Sequence, residues 1–235
     1  MPEGGGREKT GRLRCPVGPC LLILVIIVGL TGAACRSRPV RLLPPNEIRN
    51  LGGQASFYLN GPDGVFRFRL GFFCLFPATA RLEFIDPLGR LRAILWLGPE
   101  LATLYLPTER IYWQGESRVL TSEVFGQELK PEELARILAG LWSQLAAEDG
   151  WQLQLDGQGH VLGGERNGLL FVLKEKFPPG QVPKKVHFSS PGYTVRMHVL
   201  KLNFNRGQEA SMVNPVLPPG LRKVDWEEMA GRWKR

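Results

Sequence analysis

The chain has 235 residues, of which 43% are hydrophobic and 22% are charged, as in an ordinary folded protein. These fractions exclude a disordered chain and a membrane protein with many spans, and four cysteines are too few for a disulfide-held scaffold. Lysines and arginines number 30 against 22 aspartates and glutamates, so the formal charge is +8. That charge suits an anionic surface, whether lipid or nucleic acid.

The N-terminal segment has the pattern of a secretory signal peptide. Four basic residues between Arg7 and Arg14 precede an uncharged, apolar stretch over residues 21–34. As a helix, this stretch would rise about 21 Å, which is short of the roughly 30 Å hydrocarbon core of a bilayer. We therefore predict a signal peptide over residues 1–34 rather than a membrane-spanning helix.

Small residues at positions 31–34 lead directly into Cys35, an arrangement that resembles the bacterial lipobox. In that motif the cysteine is lipidated and becomes the first residue of the mature protein. An uncleaved anchor, or an ordinary signal peptide followed by a chance cysteine, are the alternatives. Cleavage would leave 26 basic and 20 acidic residues, a charge of +6, and Cys74 as the only free thiol. The apolar surroundings of Cys74 predict a buried side chain.

Residues 35–50 are predicted to be a lipidated cysteine and a tether. Pro39, Pro44 and Pro45 favour an extended segment there. Arg36 follows the cysteine in place of the aspartate that retains enterobacterial lipoproteins in the inner membrane, which favours the outer membrane.

From residue 51 onward, short segments alternate between apolar and polar residues, which predicts a meander of antiparallel strands. Turn sequences such as residues 61–64, Gly-Pro-Asp-Gly, separate these segments. In the last segment the apolar residues change parity, which predicts a β-bulge near Val199. The predicted strands are residues 56–60, 65–76, 80–84, 91–97, 102–106, 111–113, 151–155, 161–162, 169–173, 185–188 and 193–204.

One segment has the period of a helix instead. From Pro131 to Leu145, apolar residues recur at spacings of three and four. Pro131 and the two glutamates after it suit a first turn, and Gly150 suits the end. We predict a single amphipathic helix here, an irregular proline-rich tail after Asn205, and a single domain over residues 51–235.

Two predicted strands, over residues 72–76 and 93–97, are apolar on both faces. A sheet with one face in water does not need this pattern. Because a single helix cannot cover both faces, the pattern favours a curved sheet around an apolar cavity, with the helix as a lid. A filled sandwich core is the alternative.

No catalytic or metal-binding constellation is evident in the sequence. The three histidines, His160, His187 and His198, lack the spacing of metal ligands. His187 and His198 flank a turn and could face each other across a hairpin, although exposed strand histidines are the simpler interpretation. We therefore predict no enzymatic activity, no metal and no cofactor. Nucleic acid is not expected as a partner either, because Phe66 and Phe68 lie on the face of the strand opposite Arg67 and Arg69.

Residues 81–89, Arg-Leu-Glu-Phe-Ile-Asp-Pro-Leu-Gly, resemble a strand and turn of the LolA/LolB superfamily, R-L-x-ϕ-ϕ-(N/D)-P-L-G with ϕ apolar. The order of the elements that follow is also similar, and the lipobox favours the LolB branch, which is lipidated. The resemblance implies an α+β fold, mainly β, in which an open, incomplete antiparallel β-barrel is capped by helices and holds a hydrophobic cavity.

The resemblance also implies a function. The protein would be a monomeric receptor, lipid-anchored to the periplasmic face of the outer membrane, that binds the acyl chains of lipoproteins and inserts them into that membrane. Its partners would be acylated lipoproteins and a periplasmic LolA-like carrier. A structural or adaptor lipoprotein that binds a protein partner is the alternative. The candidate cavity residues, chosen by strand and helix parity, are Phe66, Phe68, Leu82, Phe84, Leu95, Leu104, Leu138 and Trp142.

Pro87 and Leu88 form the candidate membrane-insertion loop. The resemblance implies that the matching leucine protrudes and helps to deliver the cargo. A leucine at the tip of a tight turn has no strand neighbours to bury it, and it can partition into a bilayer. The alternative is that Leu88 packs back on Trp96 or on a loop.

Overall fold

A computed structural model describes residues 41–207 and 210–233, which belong to one compact unit. The predicted signal peptide, Cys35 and the predicted tether up to residue 40 lie outside the described residues. One sheet of 12 strands dominates the fold. Its strands are β1 (Asn50–Gly61), β2 (Gly64–Leu75), β3 (Thr79–Ile85), β4 (Leu91–Leu97), β5 (Leu101–Leu106), β6 (Ile111–Glu116), β7 (Gln152–Leu155), β8 (Val161–Arg166), β9 (Leu169–Lys176), β10 (Pro183–Ser190), β11 (Tyr193–Phe204) and β12 (Arg222–Lys223).

The sheet is built from two antiparallel meanders that meet at β1. The strand order is β12-β6-β5-β4-β3-β2-β1-β11-β10-β9-β8-β7, and only the short β12–β6 pair is parallel. The order does not close on itself, so β7 and β12 are its two edges. The prediction of a mainly β fold with an open, incomplete barrel and covering helices is confirmed.

The alternation of residues along each strand places one set of side chains on the concave face. In β3, for example, Ala80, Leu82 and Phe84 are buried and the residues between them are half-buried. The predicted bulge is confirmed, because Gln54 pairs with Lys201 but Ala55 pairs with Val199. Gly53 is required beside it, since a Cβ atom there would lie 2.0 Å from the carbonyl oxygen of Lys201.

Within residues 41–207 and 210–233, four helices accompany the sheet: α1 (Ser117–Phe125), α2 (Pro131–Ala139), α3 (Trp142–Asp149) and α4 (Trp226–Trp233). The prediction of one helix after Pro131 is wrong, because Gly140 ends α2 in the left-handed conformation at φ +74°. A Cβ atom at Gly140 would lie 2.6 Å from the carbonyl oxygen of Gln181. The apolar spacing continues across the break because α2 and α3 cover the same core.

The C-terminal tail is not irregular throughout, contrary to the prediction. A 3₁₀ helix (Ala210–Val213) contacts β2 and β3, and β12 pairs with β6. Leu217 and Leu221 pack on an outer-face cluster of Ile94, Trp96 and Tyr105. Beyond β12, α4 joins the concave core through Met229 and Trp233.

This tail explains why β4 is apolar on both faces. Its outer residues lie under the tail and its inner residues face the main core. Apolar residues on both faces of β4 therefore do not require an empty cavity. The prediction of a cavity from this pattern is wrong for β4, because the tail covers its outer face.

Cys74 lies on the concave face of β2 and is buried, as predicted. Burial raises the pKa of its thiol to about 12. The thiol therefore stays protonated at neutral pH and acts as a small apolar group.

A buried carboxylate fixes α2 to the far side of the sheet. Glu133 is fully buried and lies 2.6 Å from the Arg166 guanidinium. It also accepts hydrogen bonds from the Trp151 indole at 3.1 Å and from the backbone N–H of Lys130 at 2.8 Å. The carboxylate thus joins the first turn of α2 to β8 and to the start of β7.

We expect Glu133→Ala to lower the free energy of unfolding by about 3–5 kcal/mol, because it leaves the Arg166 charge half-buried without its partner. Urea unfolding followed by tryptophan fluorescence measures this change. Glu165→Gln, at an exposed position on the same strand as Arg166, is the matched control and should change stability by less than about 0.5 kcal/mol. Equal stability of the two variants would contradict the structural role of Glu133.

Candidate functional site

The concave face of the sheet holds a recess whose lining is almost entirely apolar. Its free volume is about 20 Å³, room for little more than one water molecule. The recess is therefore filled by the protein's own side chains in this conformation. Its lining residues are Phe57, Leu70, Leu82, Phe84, Leu95, Leu97, Leu120, Thr121, Val124, Phe125, Leu134 and Met197.

The eight candidate cavity residues all belong to the concave core. Five of them are buried: Leu82, Phe84, Leu95, Leu104 and Leu138. The other three, Phe66, Phe68 and Trp142, are half-buried and pack against that core. Only Leu82, Phe84 and Leu95 line the recess itself.

Helix α1 supplies the side chains that fill the recess on its open side. Leu120, Val124 and Phe125 point into it and are buried. The helix has no side-chain hydrogen bond at its N-cap and no acidic residue in its first turn. Its N-terminal end therefore lacks the usual side-chain stabilisation, and the helix depends on its packing.

Hydrogen bonds tie both ends of α1 to its surroundings, and the backbone N–H of Ser117 donates to the carbonyl oxygen of Glu100 at 2.8 Å. The Ser117 hydroxyl donates to the carbonyl oxygen of Gly98 at 2.8 Å, and the Ser190 hydroxyl donates to the carbonyl oxygen of Phe125 at 2.6 Å. Gly126, at φ +71°, ends the helix, and Gly115 lies just before it. Flanking glycines make both ends of α1 permissive to a change in backbone direction.

A surface cleft lies beside α1. The cleft has a volume of about 390 Å³ and lies between the start of α1, the β4–β5 loop and the segment before α2. Thr121, which is buried, lines both the cleft and the recess. Its hydroxyl is held by two long hydrogen bonds of 3.4 Å, to the carbonyl oxygen of Arg118 and from the N–H of Leu129. The cleft and the recess are therefore separate hollows that border the same helix.

The turn between β3 and β4 presents Leu88 to solvent with 76% of its surface exposed. The structure does not show the alternative packing on Trp96, which lies under the tail. The Asp86 carboxylate holds the turn, accepting hydrogen bonds from the N–H groups of Leu88 and Arg90 at 2.9 Å each and pairing with the Arg90 guanidinium at 2.8 Å. Pro87 is exposed beside it.

A second turn in the chain has the same construction. Asp156 accepts hydrogen bonds from the N–H groups of Gln158 and His160 at 2.8 and 2.9 Å, and its other oxygen lies 3.1 Å from the His160 ring. Gly89 and Gly159 have matching φ angles of +82° and +81°. The second turn carries Gln158 where the first carries Leu88, so the turn itself does not require a leucine at its tip.

The histidines do not form a site. His187 pairs with Arg196 and His198 pairs with Lys185 across the β10–β11 hairpin, so the two rings do not face each other. Partial burial, followed by the nearby cations, lowers the pKa of both rings. Among residues 41–207 and 210–233 there is no cluster of three potential metal ligands, and no helix there is long and apolar enough to cross a membrane.

Comparison with known proteins gives structural neighbours only. No family model matches the chain, and no curated protein matches it in sequence. A domain from Vibrio parahaemolyticus whose name assigns it to outer membrane lipoprotein sorting is 10% identical, with a TM-score of 0.45 over 72% of this chain and 91% of that one. A DUF1329 family protein from Desulfovibrio piger is 11% identical, with a TM-score of 0.46 over the same shares.

A LolA superfamily protein from Nitrosomonas europaea is 8% identical, with a TM-score of 0.41 over 75% of this chain and 93% of that one. At these identities and scores, the interpretation of the site depends on the geometry of this chain alone.

Sequence reasoning missed two parts of the site, α1 and the cleft beside it. The segment 117–125 contains Val119, Thr121 and Val124, whose branched side chains disfavour a helix. The flanking Gly115 and Gly126 were the available signal that the strand pattern stops there.

We expect the Asp86 turn to titrate at acidic pH. The N–H of Arg90 and then its guanidinium hold the pKa of Asp86 below its usual value, so the turn is stabilised above that value and loses this stabilisation as the pH falls through the lowered pKa. The amide chemical shifts of Leu88 and Arg90, measured by NMR, should move together with a midpoint below about 3.9. Asp86→Asn should abolish the transition; a midpoint above that value would contradict the assignment.

Proposed function

We propose that this protein is a lipid-anchored receptor of the outer membrane that binds the acyl chains of lipoproteins on its concave face and passes them to the membrane. One observation carries the proposal: an apolar recess in an open sheet is filled by side chains of a short helix, α1, which has no side-chain hydrogen bond at its N-cap and borders a surface cleft. In the proposed cycle, α1 leaves the recess and an acyl chain takes the place of its side chains.

The free energies allow this exchange. Uncovering Leu120, Val124 and Phe125 costs about 5–9 kcal/mol, taking roughly 1.5–3 kcal/mol for each buried side chain. A chain of about 16 carbons gains roughly 12 kcal/mol when it leaves water for an apolar site, at about 0.8 kcal/mol per CH₂. The acyl chain can therefore displace α1, whereas a small apolar molecule cannot.

The exposed Leu88 tip supports the delivery step. Its turn is held by Asp86 whichever residue stands at the tip, as the matching turn with Gln158 indicates. A rigid turn that carries an exposed leucine suits transient insertion into the edge of a bilayer.

The closed recess also supports a second candidate function. With only about 20 Å³ free, the same fold could act as an adaptor lipoprotein that binds a protein partner and never opens. Capture of an acyl chain inside the recess separates the two functions.

We expect a photoreactive benzoylphenylalanine at position 84 or 66 to crosslink to a radiolabelled triacylated lipopeptide. The same residue at Tyr112, an aromatic position on the outer face beneath the tail, should not crosslink. Hydrogen exchange of the amides of α1 should become faster on loading, because α1 leaves its seat, while that of α2 should not change. Absence of crosslinks at both inner positions in folded protein would favour the adaptor.

We expect Leu88→Gln to reduce transfer of bound lipopeptide to vesicles by at least tenfold while capture stays unchanged, since glutamine fits the matching turn but does not partition into a bilayer. Transfer is measured as label recovered with floated vesicles. Leu162→Gln, which removes an exposed leucine from β8, is the control. Normal transfer by Leu88→Gln would exclude the proposed role of the tip.

A further inference from the structure

A groove of about 790 Å³, much larger than the concave recess, lies on the outer face of the sheet across β3, β2, β1 and β11. Gly52, Gly71 and Phe73 form part of its lining, and the Glu83 side chain lies beside Gly71. Leu200, which is 54% exposed, and Met212 add apolar surface at its sides.

The groove is basic, and its positive charges are largely uncompensated. Arg69, Lys201 and Arg206 line it and are exposed. Within the part of the chain that the structure describes, none of these three forms an ion pair. The one carboxylate in the lining, Glu83, is held by Arg81 at 2.6 Å.

Two further arginines extend this basic surface along the same face. Arg67 and Arg196 stack on opposite sides of Tyr58, with guanidinium-to-ring distances of 5.7 and 5.1 Å. The stacking fixes two cations on the outer face, where they remain open to solvent. A fixed, unpaired set of cations favours an anionic partner.

The groove lies between the two parts of the chain that are proposed to reach the membrane. Asn50, the first residue of β1, lines one end, and Gly89, next to Leu88, lines the other. The chain is held in place where it enters the sheet at Asn50. The Asn205 side chain accepts hydrogen bonds from the N–H groups of Arg49 and Asn50 and donates one to the carbonyl oxygen of Glu47. We call these three bonds the Asn205 clamp.

We propose that this outer face is a membrane-docking surface and that the groove binds the headgroups of anionic phospholipids. Phosphate oxygens suit Arg69, Lys201 and Arg206, and Leu200 and Met212 suit the glycerol and first methylene groups of a phospholipid. The inference rests on the proposed anchoring of the chain, and it adds a second lipid site that is separate from the acyl-binding recess.

Docking of this face sets the orientation of the receptor. The sheet would lie with its outer face on the bilayer, so that the tether and the Leu88 tip reach the same membrane at opposite ends of the groove. A basic residue close to an anionic surface strengthens binding by about fivefold, and salt screens this attraction.

Covalent footprinting of the full chain, reconstituted in vesicles through its N-terminal segment, tests the proposal. The vesicles contain phosphatidylcholine alone or an equimolar mixture with phosphatidylglycerol, and lysines are acylated with a water-soluble reagent. We expect acylation of Lys201 to fall at least about fivefold in the anionic vesicles and to recover at high salt. Lys130 and Lys223, which are exposed away from the groove, should react equally in both.

Two double variants complete the test. Arg69→Gln with Arg206→Gln should restore acylation of Lys201 in anionic vesicles, whereas Lys130→Gln with Lys223→Gln, which removes the same charge elsewhere, should not. Equal acylation of Lys201 in the two kinds of vesicle would overturn the proposal. Protection by soluble glycerol phosphate in phosphatidylcholine vesicles would also overturn it, in favour of a small-anion site.

The outcome is independent of acyl-chain capture. Normal capture of the lipopeptide with an unprotected Lys201 would refute only the docking surface. Protection of Lys201 without capture would refute the proposed receptor and leave the docking surface in place.

Discussion

An apolar concave face that must be kept from water is the constraint on which this structure depends. The 12 strands bend around that face but do not close, so the sheet cannot bury it alone. Four short helices of the described residues complete the cover, and three of them do so by different means. α2 is fixed by the buried Glu133, α4 arrives with the tail, and α1 depends mainly on its packing.

The proposed function needs a part of the cover that can open. Helix α1 contributes apolar side chains to the recess, has no side-chain hydrogen bond at its N-cap and has no buried carboxylate like the Glu133 of α2. The Glu133–Arg166 pair prevents the same loss of cover at α2. A local opening of this kind needs no change in the strand order, because β1 pairs with β2 and β11 and not with α1.

The strands could be predicted from the sequence because parity is a local property. Each predicted strand is present, and the bulge near Val199 followed from a change in parity. The alternation of residues assigns each side chain to a face of the sheet, but it does not tell whether that face encloses an empty cavity or a filled core. The filled recess, and the tail that covers the outer face of β4, depend on segments distant in sequence.

The helices were less predictable, for reasons that differ. α1 has several β-branched residues, so its conformation is imposed by the core it covers. α4 did carry a local signal, since Asp225 accepts a hydrogen bond from the N–H of Glu228 and the apolar residues Trp226, Met229 and Trp233 follow at helical spacing. The outer groove is lined by residues of four strands, among them Gly52, which pairs with Phe73, and Gly71, which pairs with Gln54, so no single segment reveals it.

The Asn205 clamp has a mechanical consequence. A pull on the chain before Arg41 is passed through Arg49 and Asn50 to β1, which lies between β2 and β11 over its whole length. Such a load runs parallel to the strand and strains many ladder bonds at once, rather than unzipping them one after another. A pulling force at the N-terminal end of this domain therefore meets more resistance than the same force on an edge strand would.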